Sequence, residues 1–198
     1  MTESTQLTLH RQTLAIDPAL GVHGLVEALA LHTRSAADDA QDGSLAVVSI
    51  GVDGQPARLF CTSNVDALLA LRPAAVLVDL ALVAQYVRFA VNGLEVTTQV
   101  SQALGAMLRT MPVVSCEAQV TELQQRLQLM TLLLDGFALQ QHHRALAETA
   151  QHLHAVTRSL LDAARHGDNA GCLDVLRYAL PAVLSAAAHA LSGSPAGR

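Results

Sequence analysis

Histidine is the residue type whose grouping in this sequence comes nearest to a metal site. Five of the nine histidines lie in one predicted helical region together with Glu148, namely His142, His143, His152, His154 and His166. Ligands held from a single helix must lie three or four residues apart to share a face. Glu148 and His152 alone meet that spacing and are weak metal-ligand candidates. We therefore expect a surface stripe of histidines and no metal site; a site completed by a second chain is the alternative.

The three cysteines, Cys61, Cys116 and Cys172, are isolated and form no CxxC pair. This predicts neither a zinc ribbon nor a disulfide framework, and favours small buried side chains in a reducing cytoplasm. Cys116 lies at a predicted helix start, the kind of position where a thiol can become reactive. It is the one candidate for a functional thiol.

Motifs of common enzyme classes are missing from the sequence. It contains no GxxxxGK[ST] loop, no GxGxxG after a strand, no GxSxG elbow and no HExxH helix. We therefore predict no catalytic residues and no cofactor, and a non-enzymatic protein.

Composition restricts the partners and the compartment. The net charge is −5, all twelve basic residues are arginines spread singly, and charged residues make up only 15%. Nucleic-acid binding requires clustered positive charge, so no nucleic-acid partner is expected. The most apolar stretch, 74–90, is interrupted by Asp79, Gln85 and Arg88, which argues against a membrane span. No signal peptide is evident, and the arginine-only bias suggests a GC-rich bacterial source; we expect a cytoplasmic protein.

The first half mixes strand and helix patterns. Alternating residues at 6–10 and 13–16 predict a short strand pair or one bent strand. Asp17-Pro18 predicts a helix start, with the helix reaching about Thr33 and a polar loop at 34–44.

A hairpin is the clearest local pattern. Residues 45–52 and 55–61 read as strands around Asp53-Gly54, and Pro56 implies an edge position. A short helix over 65–71, capped by Ser63 or Asn64 and ended by Pro73, should follow.

Residues 74–91 are apolar almost throughout, so periodicity does not separate a buried helix from a buried strand. Asn92-Gly93 is expected to end this segment. A helix is then predicted from about Glu95 to Thr110.

The second half predicts helices. Pro112 marks a boundary, Ser115 is the expected N-cap, and helix formers run over 117–166 with a kink or break at Asp135-Gly136. After a turn at 167–169, a last helix over 172–191 contains Pro181, which should bend it near Tyr178. A disordered tail is expected over residues 193–198.

Five leucines in the second half lie seven residues apart: Leu132, Leu139, Leu146, Leu153 and Leu160. Such a repeat keeps side chains on one slowly drifting face, as in bundles and coiled coils. The first interpretation is an intramolecular core. The functional alternative is an interaction face, between Leu139 and Leu160, that meets a second subunit.

Residues 160–168, followed by Leu173, Leu176 and Leu180, form a pattern of helix, Gly-Asp turn and leucine-rich helix. This pattern resembles the closing helices of small bacterial flagellar export chaperones. The resemblance covers about thirty residues and implies a helical bundle that binds an unfolded client segment. The β-containing first half departs from that family, so no functional residue is carried over.

Together these patterns predict an α+β protein that is mostly α, with a small β-hairpin layer and helices before an antiparallel helical bundle. The expected regions are 1–111 (mixed), 112–192 (bundle) and 193–198 (tail), or one compact domain overall. The predicted function is protein–protein interaction as adaptor, chaperone or regulator, as a homodimer with an unknown protein partner. The alternative is a small-molecule sensor with an apolar pocket between the β layer and the helices, polar near Tyr86, Arg88 or Tyr178.

Overall fold

The computed structural model describes residues 7–16, 21–39 and 44–193. Within them, four antiparallel strands form one sheet in the order β1-β4-β2-β3. The strands are β1 (His10–Ala15), β2 (Leu45–Gly51), β3 (Arg58–Leu59) and β4 (Ala75–Leu82). Of the two forms predicted for the beginning of the chain, the described part has a single strand. The predicted fold class, α+β and mostly helical, is confirmed.

The hairpin of β2 and β3 forms where the sequence predicts it. Gly54 has a φ of +77°, the left-handed conformation that glycine adopts without steric cost. The β3 strand lies at the sheet edge, as Pro56 indicates, since proline lacks the N–H that a second neighbour would need.

Two helices cover one face of the sheet, α1 (Val22–Asp39) and α2 (Thr62–Leu69). A hydrophobic cluster of this layer includes Leu25, Leu29, Phe60 and Val78. The predicted loop at 34–44 is wrong in its first part, because α1 continues to Asp39. The predicted helix start at Asp17-Pro18 lies outside the described residues.

The ambiguous segment 74–91 contains both candidate structures, since β4 leads directly into α3 (Val83–Met107). Asn92-Gly93 does not end a helix, because α3 runs through it. A Cβ on Gly93 would lie 2.7 Å from Cε of Met130. The glycine therefore permits the close approach of α3 to the next long helix and is no helix breaker.

The second half begins with a 3₁₀ turn (Val113–Cys116), which contains Ser115, so the predicted N-cap is wrong. The helices α4 (Glu117–Gln141) and α5 (Arg144–Arg165) follow. A break at Asp135-Gly136, one of the two predicted alternatives, is also wrong, because α4 is continuous there. The chain turns instead at His142, which has a φ of +49°.

The last helical segment is irregular near Tyr178, where Pro181 predicts a bend. It consists of α6 (Asn169–Asp174), a π-helical turn (Val175–Ala179) that contains Tyr178, and α7 (Leu180–Ser192). The wider π turn ends two residues before Pro181, which has no N–H to continue the regular pattern. The predicted turn at 167–169 is confirmed, with Gly167 at φ +68° and the Asp168 side chain accepting from Gly171 N.

The larger hydrophobic core crosses the predicted boundary between residues 111 and 112. It joins Ala46 and Val48 of the sheet to Leu104 of α3, Leu127 of α4 and Leu184 of α7. Within the described chain, one segment, Asn169–Ser192, is long and apolar enough to cross a membrane, with a mean hydropathy of 1.3. This segment contacts α3 and α5. Of its apolar stretch 28% is buried, and the buried side chains, among them Leu176, Leu180 and Leu184, belong to the larger core.

Candidate functional site

The seven-residue leucine row is divided between two helices. Leu132 and Leu139 are half-buried on α4, whereas Leu146, Leu153 and Leu160 on α5 are 0%, 0% and 1% exposed. These three side chains fill the core of a single chain. The intramolecular interpretation is confirmed for them. An interaction face from Leu139 to Leu160 is wrong, because its α5 leucines have no surface left for a second subunit.

The histidine region is not assembled into a metal site. No group of three or more His, Cys, Asp or Glu side chains that could hold a metal occurs in the described ranges. Glu148 accepts a hydrogen bond from Arg144 Nε at 2.8 Å, and His152 is exposed. His143 caps α5, its Nδ1 accepting from Leu146 N at 3.3 Å. At least one member of the cluster therefore has a structural role.

The three cysteines are free and fully buried. Cys116 ends the 3₁₀ turn before α4, where its side chain packs in the larger core. Burial raises the pKa of the Cys172 thiol, and Asp168 adds to the shift. All three match the interpretation as small core side chains.

The polar groups proposed for a sensor pocket do not come together. Tyr86 is buried and donates to Leu133 O at 2.7 Å, and burial raises its pKa far above the usual range. Tyr178 is 62% exposed beside Arg177, and Arg88 is exposed on α3. A cavity does lie between α1, β2 and α4, but it measures about 180 Å³, below the roughly 300–1,000 Å³ typical of ligand pockets.

An open groove lined by both apolar and polar side chains lies instead between the start of α4 and the end of α5. Its volume is about 280 Å³. We call it the α4–α5 groove, and its lining residues are Val113, Val114, Glu117, Val120, Thr121, Gln124, Leu161, Ala164 and Arg165. Val114 is 70% exposed and Met111, just before the 3₁₀ turn, is 39% exposed. Two large apolar side chains are thus exposed to solvent beside a groove of mixed lining.

The segment that presents Val114 is held by one side chain. Asn169, at the start of α6, accepts from Val113 N at 2.5 Å. Its Nδ2 donates to Leu108 O at 3.1 Å and to Met111 O at 2.9 Å. Three backbone groups around Pro112 are therefore satisfied by Asn169, which fixes the rim of the groove in place.

Opposite charges lie on the two helices of the groove. Glu117 is exposed in the first turn of α4 and has no ion pair among the described residues. Arg165 is exposed in the last turn of α5, 3.5 Å from the exposed Asp162. Such a surface pair contributes little, so Arg165 can exchange its partner at small cost.

No pattern in the sequence singles out the α4–α5 groove. Val113-Val114 after Pro112 is an apolar pair next to a helix start, and that pattern alone does not tell a buried turn from an exposed one. The groove also needs α4 and α5 side by side, which no local pattern specifies.

Comparison with known proteins gives no family: no family model, curated protein or solved structure matches the chain.

Proposed function

We propose that this protein is a non-enzymatic interaction protein that works as a homodimer, in an adaptor, chaperone or regulatory role. The observation that carries the proposal is Val114, an exposed apolar side chain on a fixed turn beside the α4–α5 groove. A single exposed valine is ordinary on a protein surface. Here it stands next to the exposed Met111, on a segment that Asn169 holds in place beside an open groove, and that combination supports an interaction surface.

The occupant we propose is a second copy of the chain. A two-fold interface uses the same patch on both subunits, so a patch that carries both a projection and a hollow can meet its own copy. Val114 of each subunit would enter the groove of the other. The same axis brings Glu117 toward Arg165 of the partner subunit, so that both charges gain an opposite neighbour.

The expected association is reversible. We expect a contact limited to one groove per subunit to bury less surface than the roughly 1,200 Å² or more that stable interfaces bury. We therefore expect a dissociation constant in the range of about 1 to 100 µM.

Sedimentation velocity over about 1 µM to 1 mM protein, a range that brackets this constant, tests the dimer. We expect a concentration-dependent dimer for the wild type and a monomer for Val114→Asp. Leu31→Asp is the matched control, since Leu31 is 66% exposed on α1, away from the groove. A monomeric wild type over the whole range, or a Val114→Asp protein that dimerises as well as the wild type, would contradict the proposal.

A charge exchange tests the orientation of the two subunits. Glu117→Arg and Arg165→Glu should each weaken the dimer, because each sets like charges against one another. The double variant should recover at least part of the association, since it restores opposite charges across the axis. Additive weakening in the double variant would show that this pairing is wrong.

A further inference from the structure

A second cavity, distinct from the α4–α5 groove, lies between the β2–β3 hairpin and α2. It measures about 300 Å³. We call it the hairpin pocket, and the residues that define it are Ile50, Val52, Arg58, Asn64, Leu68 and Leu71.

The strand register places one basic side chain at this pocket. Ile50 pairs with Arg58 across β2 and β3, and directly paired residues project from the same face of a sheet. Ile50 is buried in the cluster beneath α1 and α2, so Arg58 projects on the α2 side. Arg58, on the edge strand β3, therefore lies at one end of the pocket.

The opposite wall is fixed by a hydrogen bond. Asn64 and Leu68 lie four residues apart on α2 and therefore on one face of that helix. Asn64 Nδ2 donates to Leu59 O at 2.8 Å, which ties α2 to β3. Leu71, which is 57% exposed, extends the apolar wall beyond the end of α2. The pocket is thus built between two connected elements.

No carboxylate in the described part of the chain pairs with Arg58. Arg144 and Arg165, which line the other open cavities, each lie within 4 Å of a carboxylate, at 2.8 and 3.5 Å. Arg58 has no such neighbour among the described residues, and no acidic side chain lines the hairpin pocket. A guanidinium binds a carboxylate through two parallel N–H···O bonds, which suits it to this ligand class.

We propose that the hairpin pocket binds a small aliphatic carboxylate. The carboxylate pairs with Arg58, and the hydrocarbon part lies against Val52, Leu68 and Leu71. A volume of about 300 Å³ is at the lower end for ligand pockets, which favours a short acid. A free short-chain acid and the carboxyl end of a polypeptide that finishes in an aliphatic residue share this chemistry.

The first test compares 3-methylbutanoate with its uncharged isostere, 3-methylbutanamide, by ¹H–¹⁵N NMR titration of the full chain. We expect the acid to shift the amides of the hairpin and α2, and the amide to bind about tenfold or more weakly, a difference of roughly 1.4 kcal/mol. Arg58→Gln should remove that preference, whereas Arg88→Gln, an exposed arginine on α3, should retain it. Equal binding of acid and amide, or undiminished binding by Arg58→Gln, would overturn the proposal.

A second titration distinguishes the two sources of the ligand. The probes are the tripeptide Ala-Ala-Leu with a free and with an amidated carboxyl end. Tighter binding of the free-acid peptide than of 3-methylbutanoate assigns the pocket to a protein terminus, and the reverse assigns it to a free acid. If neither acid shifts the hairpin amides, the proposal is wrong. Repeating the titration on Val114→Asp separates it from the dimer, because a monomer should bind equally well.

Discussion

At the scale of single residues, Gly136 is the position where α4 has no room for a side chain. A Cβ there would lie 1.8 Å from the carbonyl oxygen of Phe60, which is backbone and cannot turn aside. We expect Gly136→Ala to lower the free energy of unfolding by about 3 kcal/mol, since α4 and the hairpin must separate to admit the methyl group. Urea unfolding followed by circular dichroism measures the change.

Gly105→Ala is the matched control on another long helix. Its added Cβ would meet only Leu176 Cβ, at an ordinary contact distance of 4.0 Å. Alanine is the better helix former, so this variant should gain about 0.5–1 kcal/mol. Opposite signs for the two variants are the expected result. Equal losses would mean that backbone propensity, and not the approach to Phe60, sets the cost at Gly136.

Asp79 on β4, a buried carboxylate, is another residue with a specific role in stability. Arg11 donates to both its carboxylate oxygens, at 2.8 and 3.1 Å, and Ser49 Oγ donates at 2.5 Å. The hydrogen bond from Arg11 holds the pKa of Asp79 below its usual value, although burial acts in the opposite direction. The carboxylate therefore joins β1, β4 and β2.

A lowered pKa makes a stabilising contribution that is present above the unfolded pKa of about 4 and disappears as the pH falls through the folded pKa. Asp79→Asn should cost about 1–2 kcal/mol at pH 7. The variant should also lose less stability than the wild type between about pH 5 and pH 2. Urea midpoints across this range check the sign, with Glu122→Gln, an exposed partner of Arg126, as control. Parallel pH curves for wild type and Asp79→Asn would contradict the assignment.

At the scale of elements, sequence patterns gave correct predictions where neighbouring residues determine the backbone conformation. Asp53-Gly54 predicts the hairpin because its turn requires a positive φ, and Gly167-Asp168 predicts the turn before α6 for the same reason. Pro181 likewise indicates the irregular part of the last helix, where the π turn lies. Each of these elements depends on neighbours in sequence.

Sequence patterns gave wrong predictions where a contact between residues far apart in the sequence determines where a helix begins or continues. Asp135-Gly136 reads as a break, yet Gly136 is small to fit Phe60, and Asp135 accepts from Thr62 N at 2.7 Å, at the start of α2. The start of α3 after β4 has no breaker residue. Its first N–H, from Val83, donates to Ser44 O at 2.9 Å, a partner that no pattern around Val83 indicates.

The contact of α4 with the sheet suggests a prediction at this scale. Gln140 accepts from Val47 N at 2.6 Å and donates to Val47 O at 2.8 Å, beside the irregular register of β2. Gln140→Met keeps the length of the side chain but leaves both backbone groups without their partner, which should cost about 1–3 kcal/mol. Gln141→Met, on the exposed side of α4, should change the urea midpoint little. A loss confined to Gln140→Met supports the anchor, and equal effects would contradict it.

At the scale of the whole molecule, the candidate site shows what a single sequence leaves open. The seven-residue spacing of Leu146, Leu153 and Leu160 specifies that they share a face, and the structure confirms it. Spacing does not say whether that face meets the same chain or another one. The α4–α5 groove, in contrast, joins the 3₁₀ turn, the start of α4 and the end of α5. The groove exists because α4 packs against α5 and because Asn169 holds the segment around Pro112 with three hydrogen bonds.

The core that crosses the 111/112 boundary predicts a single cooperative unfolding transition. Leu94 and Leu104 of α3 belong to the same buried cluster as Leu153 of α5 and Leu180 of α7, so residues 112–198 alone would expose a large apolar surface. The chain has no Trp and two tyrosines, so Tyr178→Phe leaves Tyr86 as the one tyrosine reporter; its ring stacks on Phe137 at 5.3 Å. We expect its fluorescence and the far-ultraviolet circular dichroism of the whole chain to give the same urea midpoint. Two separated midpoints, or a cooperatively folded fragment 112–198, would show instead that the helices form a domain of their own.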